Sequence, residues 1–236
     1  MPETGGVDLH GTIDGDRDRR LGREHDGDSL GEEIANAVTH GLGAGLALAG
    51  LLLLLVLATI HGTALHITAL GLYGATLVTL YAASTLYHAW IGARGKSVLL
   101  VFDHVAIFLL IAGTYTPFTL ISLGGAWGWG LFVAVWTLAV AGILFRIFSR
   151  HHSTRFLVPI YLAMGWLAVI AGGEVWGALG PGGTAWLLIG GLAYSGGVIF
   201  YRWRGLPYNH AVWHLFVLAG SICHFCAIAF HVLPIA

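Results

Sequence analysis

Seven long apolar runs, separated by short polar stretches, account for nearly all of the chain beyond residue 34. They cover roughly residues 35–60, 64–91, 97–123, 126–148, 155–173, 184–203 and 208–233. Each is close to or longer than the ~20 residues a helix needs to cross a hydrocarbon core. None alternates at period two and all are too long for barrel strands, so helices are the spanning element. The pattern predicts an all-α integral membrane protein, with a seven-transmembrane helix bundle over residues 34–236.

Charge gives that bundle a direction. Arg17, Arg19, Arg20 and Arg23 precede the first run, and Arg94 and Lys96 separate the second from the third. Arg146, Arg150 and Arg155 lie between the fourth and fifth, and Arg202 and Arg204 between the sixth and seventh. The other three connections hold no Lys or Arg. Cytoplasmic loops collect these residues, which places the N-terminus in the cytoplasm and the C-terminus outside. Trp90, Trp127, Trp129, Trp176 and Trp203 stand near run ends, where indole rings favour the headgroup region. Composition agrees: 57% hydrophobic, 10% charged and a mean hydropathy of +0.79 exclude a soluble domain. The expected location is the cell membrane, crossed many times.

Residues 1–33 are of another kind. They carry ten of the twelve acidic residues and four Arg, a net charge of −6, with few apolar side chains. Such a segment cannot bury enough surface to offset its ordering entropy, so a disordered acidic cytoplasmic tail is expected there. No apolar core follows its basic residues in the manner of a secretory signal. The tail is expected to be dispensable for the fold. Cys223 and Cys226, spaced C-x-x-C within the last run, lack the soluble βαβ setting of a redox motif and read as small packing residues.

Ionisable groups within spans are costly and usually face the bundle interior. Counting at 1.5 Å per residue from the nearest basic residue, His88 lies ~9 Å deep, Asp103 ~10 Å, and His210 and His214 ~9 and ~15 Å. Four groups from three helices thus converge on one level of the inner leaflet. His210 and His214, spaced i, i+4, share a helix face, the arrangement by which a helix supplies two ligands to a metal. Ser84 stands one turn before His88 on the same face. Three neutral imidazoles and a water make a tetrahedral zinc site with an open position, and Asp103 is then a fourth ligand or a partner of that water. The bland alternative is four polar groups satisfied by neighbours, and a proton relay is a further one.

A second polar set opens the first run: Glu33, Asn36 and His40, on one face of the helix. Glu32 and Glu33 suit a positive helix N-terminus, while Asn36 and His40 read as supporting groups for the site or as bonds between helices. Of the remaining candidates, His104 points about 100° away from Asp103. His61, His66, His151 and His152 fall in connections. His224 and His231 lie too far along the last run to join the site.

These blocks carry a resemblance. Glu33-Ile-Ala-Asn36-Ala-Val-Thr39-His40, Ser84-Thr-Leu-Tyr-His88, Phe102-Asp103-His104 running into Ala112-Gly113-Thr114-Tyr115-Thr116-Pro117-Phe118, and His210-Ala-Val-Trp-His214 resemble, in this order, the hemolysin III family. That family is the bacterial branch of the progestin and adipoQ receptor superfamily, and the resemblance spans about residues 32–233. It implies a seven-helix bundle with an intramembrane zinc ion held by His88, His210 and His214. By the same resemblance Asp103 reaches the ion through water and Ser84 supports it. Ceramidase-like hydrolysis is associated with some animal relatives, and bacterial members with membrane energetics and lipid homeostasis.

The expected function is therefore a zinc-dependent intramembrane hydrolase of a lipid amide or ester, with Asp103 and Ser84 as its catalytic pair. The alternative is a non-enzymatic, zinc-stabilised regulator or sensor of membrane lipid or ion homeostasis. A pore-forming cytolysin comes third, because charges gathered at one end of the spans cannot line a channel. The expected partners are membrane lipids, with no nucleic acid among them.

Overall fold

The computed structural model describes residues 29–148 and 154–233. Most of the predicted tail, residues 1–28, lies outside them. The first helix, α1, spans Leu30–His61, followed by α2, Ala64–Ala89, and α3, Ala93–Pro117, which runs on into a π-helical turn, Phe118–Leu123. Next come α4, Gly125–Phe148, α5, Thr154–Gly165, α6, Gly172–Arg202, and α7, Asn209–His231. A 3-10 turn, Leu167–Ala171, joins α5 to α6. No strand occurs among the described residues.

Helix α1 begins earlier than the apolar pattern alone marks. Ser29 accepts from the Glu32 backbone N–H, and Glu32 reaches back to the Ser29 N–H at 2.8 Å. This reciprocal capping box satisfies two donors that a bare helix start would leave open.

Six helical stretches among the described residues are long and apolar enough to cross a membrane. The all-α membrane class stands, and the count of seven separate spanning helices is corrected. The fifth and sixth predicted runs lie within one stretch of 47 residues, Phe156–Arg202. Drawn out straight it would measure ~70 Å, against a hydrocarbon thickness of ~30 Å. It does not run straight. Trp166 Nε1 donates to Ser195 Oγ at 2.9 Å, although an unbroken helix would hold those residues ~44 Å apart. The chain folds back at Gly180 (φ 63, ψ −175), followed by Pro181. That backbone region is essentially glycine's alone, and proline withholds the N–H a continuing helix needs. The first leg is thus a short α-helix, a 3-10 turn and the start of α6.

Helix α2 packs on α1 and α3, α4 packs on α3, α7 on α6, and α1 also meets α7. One apolar core, including Leu54, Leu70, Tyr73, Leu110, Phe118, Val175 and Ile228, is drawn from α1, α2, α3, α6, α7 and the π-turn. A second, including Phe108, Val135, Leu157 and Met164, lies among α3, α4 and α5. Leu42, Leu46, Val56 and Ile60 on α1 are exposed, whereas Asn36, His40, Ser84, His88 and His214 are buried. This is the distribution expected of helices solvated by lipid, which tolerates apolar surface and penalises polar surface. The five tryptophans near run ends each expose about half their surface.

Contacts define which helix ends lie together. Glu33 pairs with Lys96 at the start of α3, and the Tyr208 backbone N–H, just before α7, donates to Glu32 at 2.9 Å. At the opposite end Gly182 and Gly183 approach His231, the last residue of α7. Arg94, Lys96 and Arg202 therefore share the end that holds Glu33 and His88, and the positive-inside bias assigns it to the cytoplasm.

A Cβ at Gly180 would meet no atom within 4 Å, so Gly180→Ala tests the backbone conformation free of steric clash. The expected cost is about 1–3 kcal/mol, read as a lower thermal midpoint in detergent. An unchanged midpoint would show that the fold-back does not depend on this residue.

Candidate metal centre

The site grows from the last turn of α2 and the first turns of α7. His210 and His214 stand one turn apart with ring centroids 4.5 Å from each other. The His88 ring faces both, at 5.0 Å from His210 and 5.1 Å from His214. One nitrogen from each of the three lies within 4.8 Å of the others; His88 and His214 are buried and His210 is half-buried. Imidazoles sharing a tetrahedral ion at 2.0–2.1 Å would hold their nitrogens ~3.4 Å apart, so a small inward movement completes such a set.

Hydrogen bonds decide which nitrogen two of the rings present. His214 Nδ1 lies 3.2 Å from the Asn36 carbonyl oxygen and 3.2 Å from Thr39 Oγ1. A carbonyl only accepts, and the Thr39 hydroxyl proton is committed to the Ala35 and Asn36 carbonyls. His214 Nδ1 must then carry the proton, which leaves the lone pair on Nε2. On the same logic His88 Nδ1 donates to Glu33 Oε2 at 2.7 Å and presents Nε2. The other Glu33 oxygen accepts from the Lys96 ammonium. Carboxylate and carbonyl partners of this kind fix the tautomer of metal-binding histidines and raise their basicity. Two imidazoles oriented in this way, with His210 beside them, fit a divalent metal ion.

Asp103 and Ser84 are close by without being part of the cluster. Ser84 is buried, one turn before His88, and its hydroxyl meets the Asp103 carboxylate of α3. Both line a cavity of about 170 Å³ that also takes in His210 and His214. The Asp103 carboxylate is not among the atoms grouped within 4.8 Å. The geometry therefore favours its acting beside an ion over direct coordination.

The supporting set on α1 works differently from its sequence pattern. Glu32 caps α1, but Glu33, which suits a cap equally well by position, bonds across to α2 and α3 instead. Asn36 serves His214 through its backbone carbonyl, while no hydrogen bond reaches its fully buried side-chain amide. His40 stacks on His214, with centroids 3.4 Å apart and planes 14° apart. Lone pairs in parallel stacked rings cannot converge on one ion, so His40 is a packing neighbour and not a ligand of this centre. His104 accepts from Arg146 Nε at 2.9 Å.

Two contributors escaped sequence reasoning. Thr39 stood inside a motif without an assigned role, and its position one residue before His40 was its only signal. Lys96 marked a loop by its charge, and only the tertiary structure brings it to Glu33. A third feature sets the height of His210: Tyr208 adopts the left-handed region at φ 57, unusual for a non-glycine residue, and is held there by Glu32.

A family model of haemolysin-III related proteins matches residues 29–225. The chain belongs to the haemolysin III family. It is 46% identical over 205 residues to Hemolysin-3 of Bacillus cereus, covering 87% of this chain and 94% of that protein. The Hemolysin-3 homolog of Bacillus subtilis (strain 168) is 42% identical over 203 residues, or 86% and 95%. The monocyte to macrophage differentiation factor of Homo sapiens is 30% identical over 164 residues, or 66% and 67%, which supports the wider progestin and adipoQ receptor superfamily. Family membership and the spanning helices together describe a multi-pass protein of the cell membrane.

His88→Ala, His210→Ala and His214→Ala are each expected to lower the metal bound per chain, measured by elemental analysis of purified protein. Glu33→Gln should retain the metal at saturation but weaken its affinity by about 10–100-fold. Unchanged metal content in all three histidine variants would remove the centre from consideration.

Proposed function

We propose that this family member is a zinc-dependent intramembrane hydrolase acting on a lipid amide or ester. The observation that supports it most is the shared cavity. A carboxylate, a hydroxyl and two of the clustered histidines open into a space otherwise walled by apolar residues such as Leu80, Ile107, Leu110 and Val217. Few ligands other than a lipid suit both halves. Its chain would occupy the apolar part and its headgroup linkage the polar end, after sideways entry between helices.

His88, His210 and His214 would hold the zinc. When bound, zinc polarises a carbonyl and lowers the pKa of an associated water from 15.7 toward about 7. The chain's own residues divide the remaining work. Asp103 accepts a proton from the attacking water and returns it to the departing amine or alcohol as the scissile bond breaks. Ser84, against Asp103, orients that carboxylate and offers a hydroxyl to the oxygen on which charge develops. The apolar wall keeps bulk water away, which strengthens each of these interactions.

The rival reading is a non-enzymatic regulator in which the ion ties helices together. Its support is that His88 joins the cluster without lining the cavity, as a structural ligand would. Asp103→Asn separates the two. Under the hydrolase reading the variant keeps its zinc and loses lipid hydrolysis by about 10²–10⁴-fold, assayed on a panel of lipid amides and esters with and without chelator. A variant that retains full biological activity in cells would favour the regulator.

A further inference from the structure

The cavity has a second polar end. Its lining continues from the histidine cluster to Thr114 on α3 and His224 on α7. His224 is ten residues beyond His214 and Thr114 eleven beyond Asp103, so both stand ~15–17 Å along their helices from the level of the histidine cluster. Two helices thus bring a hydroxyl and an imidazole to one depth, far from the chemistry.

The chemistry of that pair is defined. His224 Nδ1 lies 2.8 Å from the Gly220 carbonyl oxygen, which can only accept, so Nδ1 bears the proton and Nε2 the lone pair. Among the described residues neither His224 Nε2 nor Thr114 Oγ1 has a hydrogen-bond partner. A polar atom within a membrane-spanning bundle is costly without one. The imidazole is also accommodated deliberately. A Cβ at Gly190 would come within 2.5 Å of the His224 ring, so only glycine leaves it room. Tyr194 and Ser195, which line the same stretch of the cavity, are engaged elsewhere. Tyr194 bonds Ser221, and Ser195 accepts from Trp166 while donating to Gly191.

We infer that Thr114 and His224 form a subsite for a hydroxyl group carried on the hydrocarbon chain of the bound lipid. A hydroxyl donates to His224 Nε2 and accepts from Thr114 Oγ1, satisfying both at once. A keto oxygen can only accept and leaves Nε2 without a donor. The separation from the metal level, ~15 Å, corresponds to roughly a dozen methylenes. The ligand is therefore an acyl lipid hydroxylated near the middle or distal half of its chain. The inference relies on the hydrolase reading only for placing the acyl linkage at the histidines.

The test is displacement of a fluorescent octadecanoate from the purified full chain in detergent, with metal bound and again after chelation. 12-Hydroxyoctadecanoate is expected to displace it at about tenfold lower concentration than octadecanoate, the worth of one or two hydrogen bonds. 2-Hydroxy- and 12-oxo-octadecanoate are expected to gain nothing. Thr114→Val, which keeps the side-chain shape, and His224→Phe should each bring the 12-hydroxy acid back to the level of octadecanoate. Equal displacement by the 12-hydroxy and plain acids would overturn the inference and leave the pair to a bound water. So would a preference that survives Thr114→Val, or an absence of fatty-acid binding. A protein that shows the preference yet hydrolyses no lipid loses the enzymatic reading and keeps the subsite.

Discussion

Water is missing from a hydrocarbon core, so every polar side chain placed there must find its partners within the protein. In this chain that constraint produces orientation as well as stability. His214 is tied to a carbonyl and a hydroxyl of α1, and His88 to a carboxylate of α1. Each tie occupies Nδ1 and leaves Nε2 as the basic nitrogen. The first helix contributes none of the clustered histidines, yet it determines how two of them face. The site is accordingly built at a junction of three helices, with the clustered histidines on two and the groups that orient them on the third.

Much of this arrangement was legible before the structure. Apolar run length located the helices, because a hydrocarbon core imposes a minimum span. The distance of His88, His210 and His214 from flanking Arg and Lys placed them at one depth, because helical rise is constant. Angular arguments succeeded along a single helix, as for the His210–His214 pair. They failed between helices, where neighbours are set by packing. Lys96 meeting Glu33 and the stacking of His40 on His214 are facts of tertiary geometry with no trace in local spacing. The division of labour between Glu32 and Glu33 was hidden for the same reason, since both suit a helix start equally well. The fold-back at Gly180 falls between the fifth and sixth apolar runs, where the run pattern places a connection, but spacing did not show that helix continues on both sides of it.

The cavity links these separate features. It begins at Asp103, Ser84 and the α7 histidines and ends beside His224 and Thr114, with apolar walls between. Part of the wall is α5 and the leg of α6 beyond Gly180, so the doubled-back stretch is also a boundary of the space. Sequence reasoning set His224 aside because it lay too far from the histidine cluster. That distance is a measure of the cavity, and hence of the molecule that fills it.

The junction of Ser29, Glu32, Glu33 and Tyr208 bears on where this protein can be cut. An expression clone trimmed to residue 34, where the hydrophobic block starts, would still retain enough length in its opening helix to traverse a bilayer. It would have discarded the serine and glutamate that close the helix start, the acceptor that steadies Tyr208 two positions ahead of His210, and the carboxylate bound to His88. Shortening by five residues more than is safe would therefore keep the spanning length and strip the supports of His88 and Tyr208. The natural place for the scissors is ahead of Ser29.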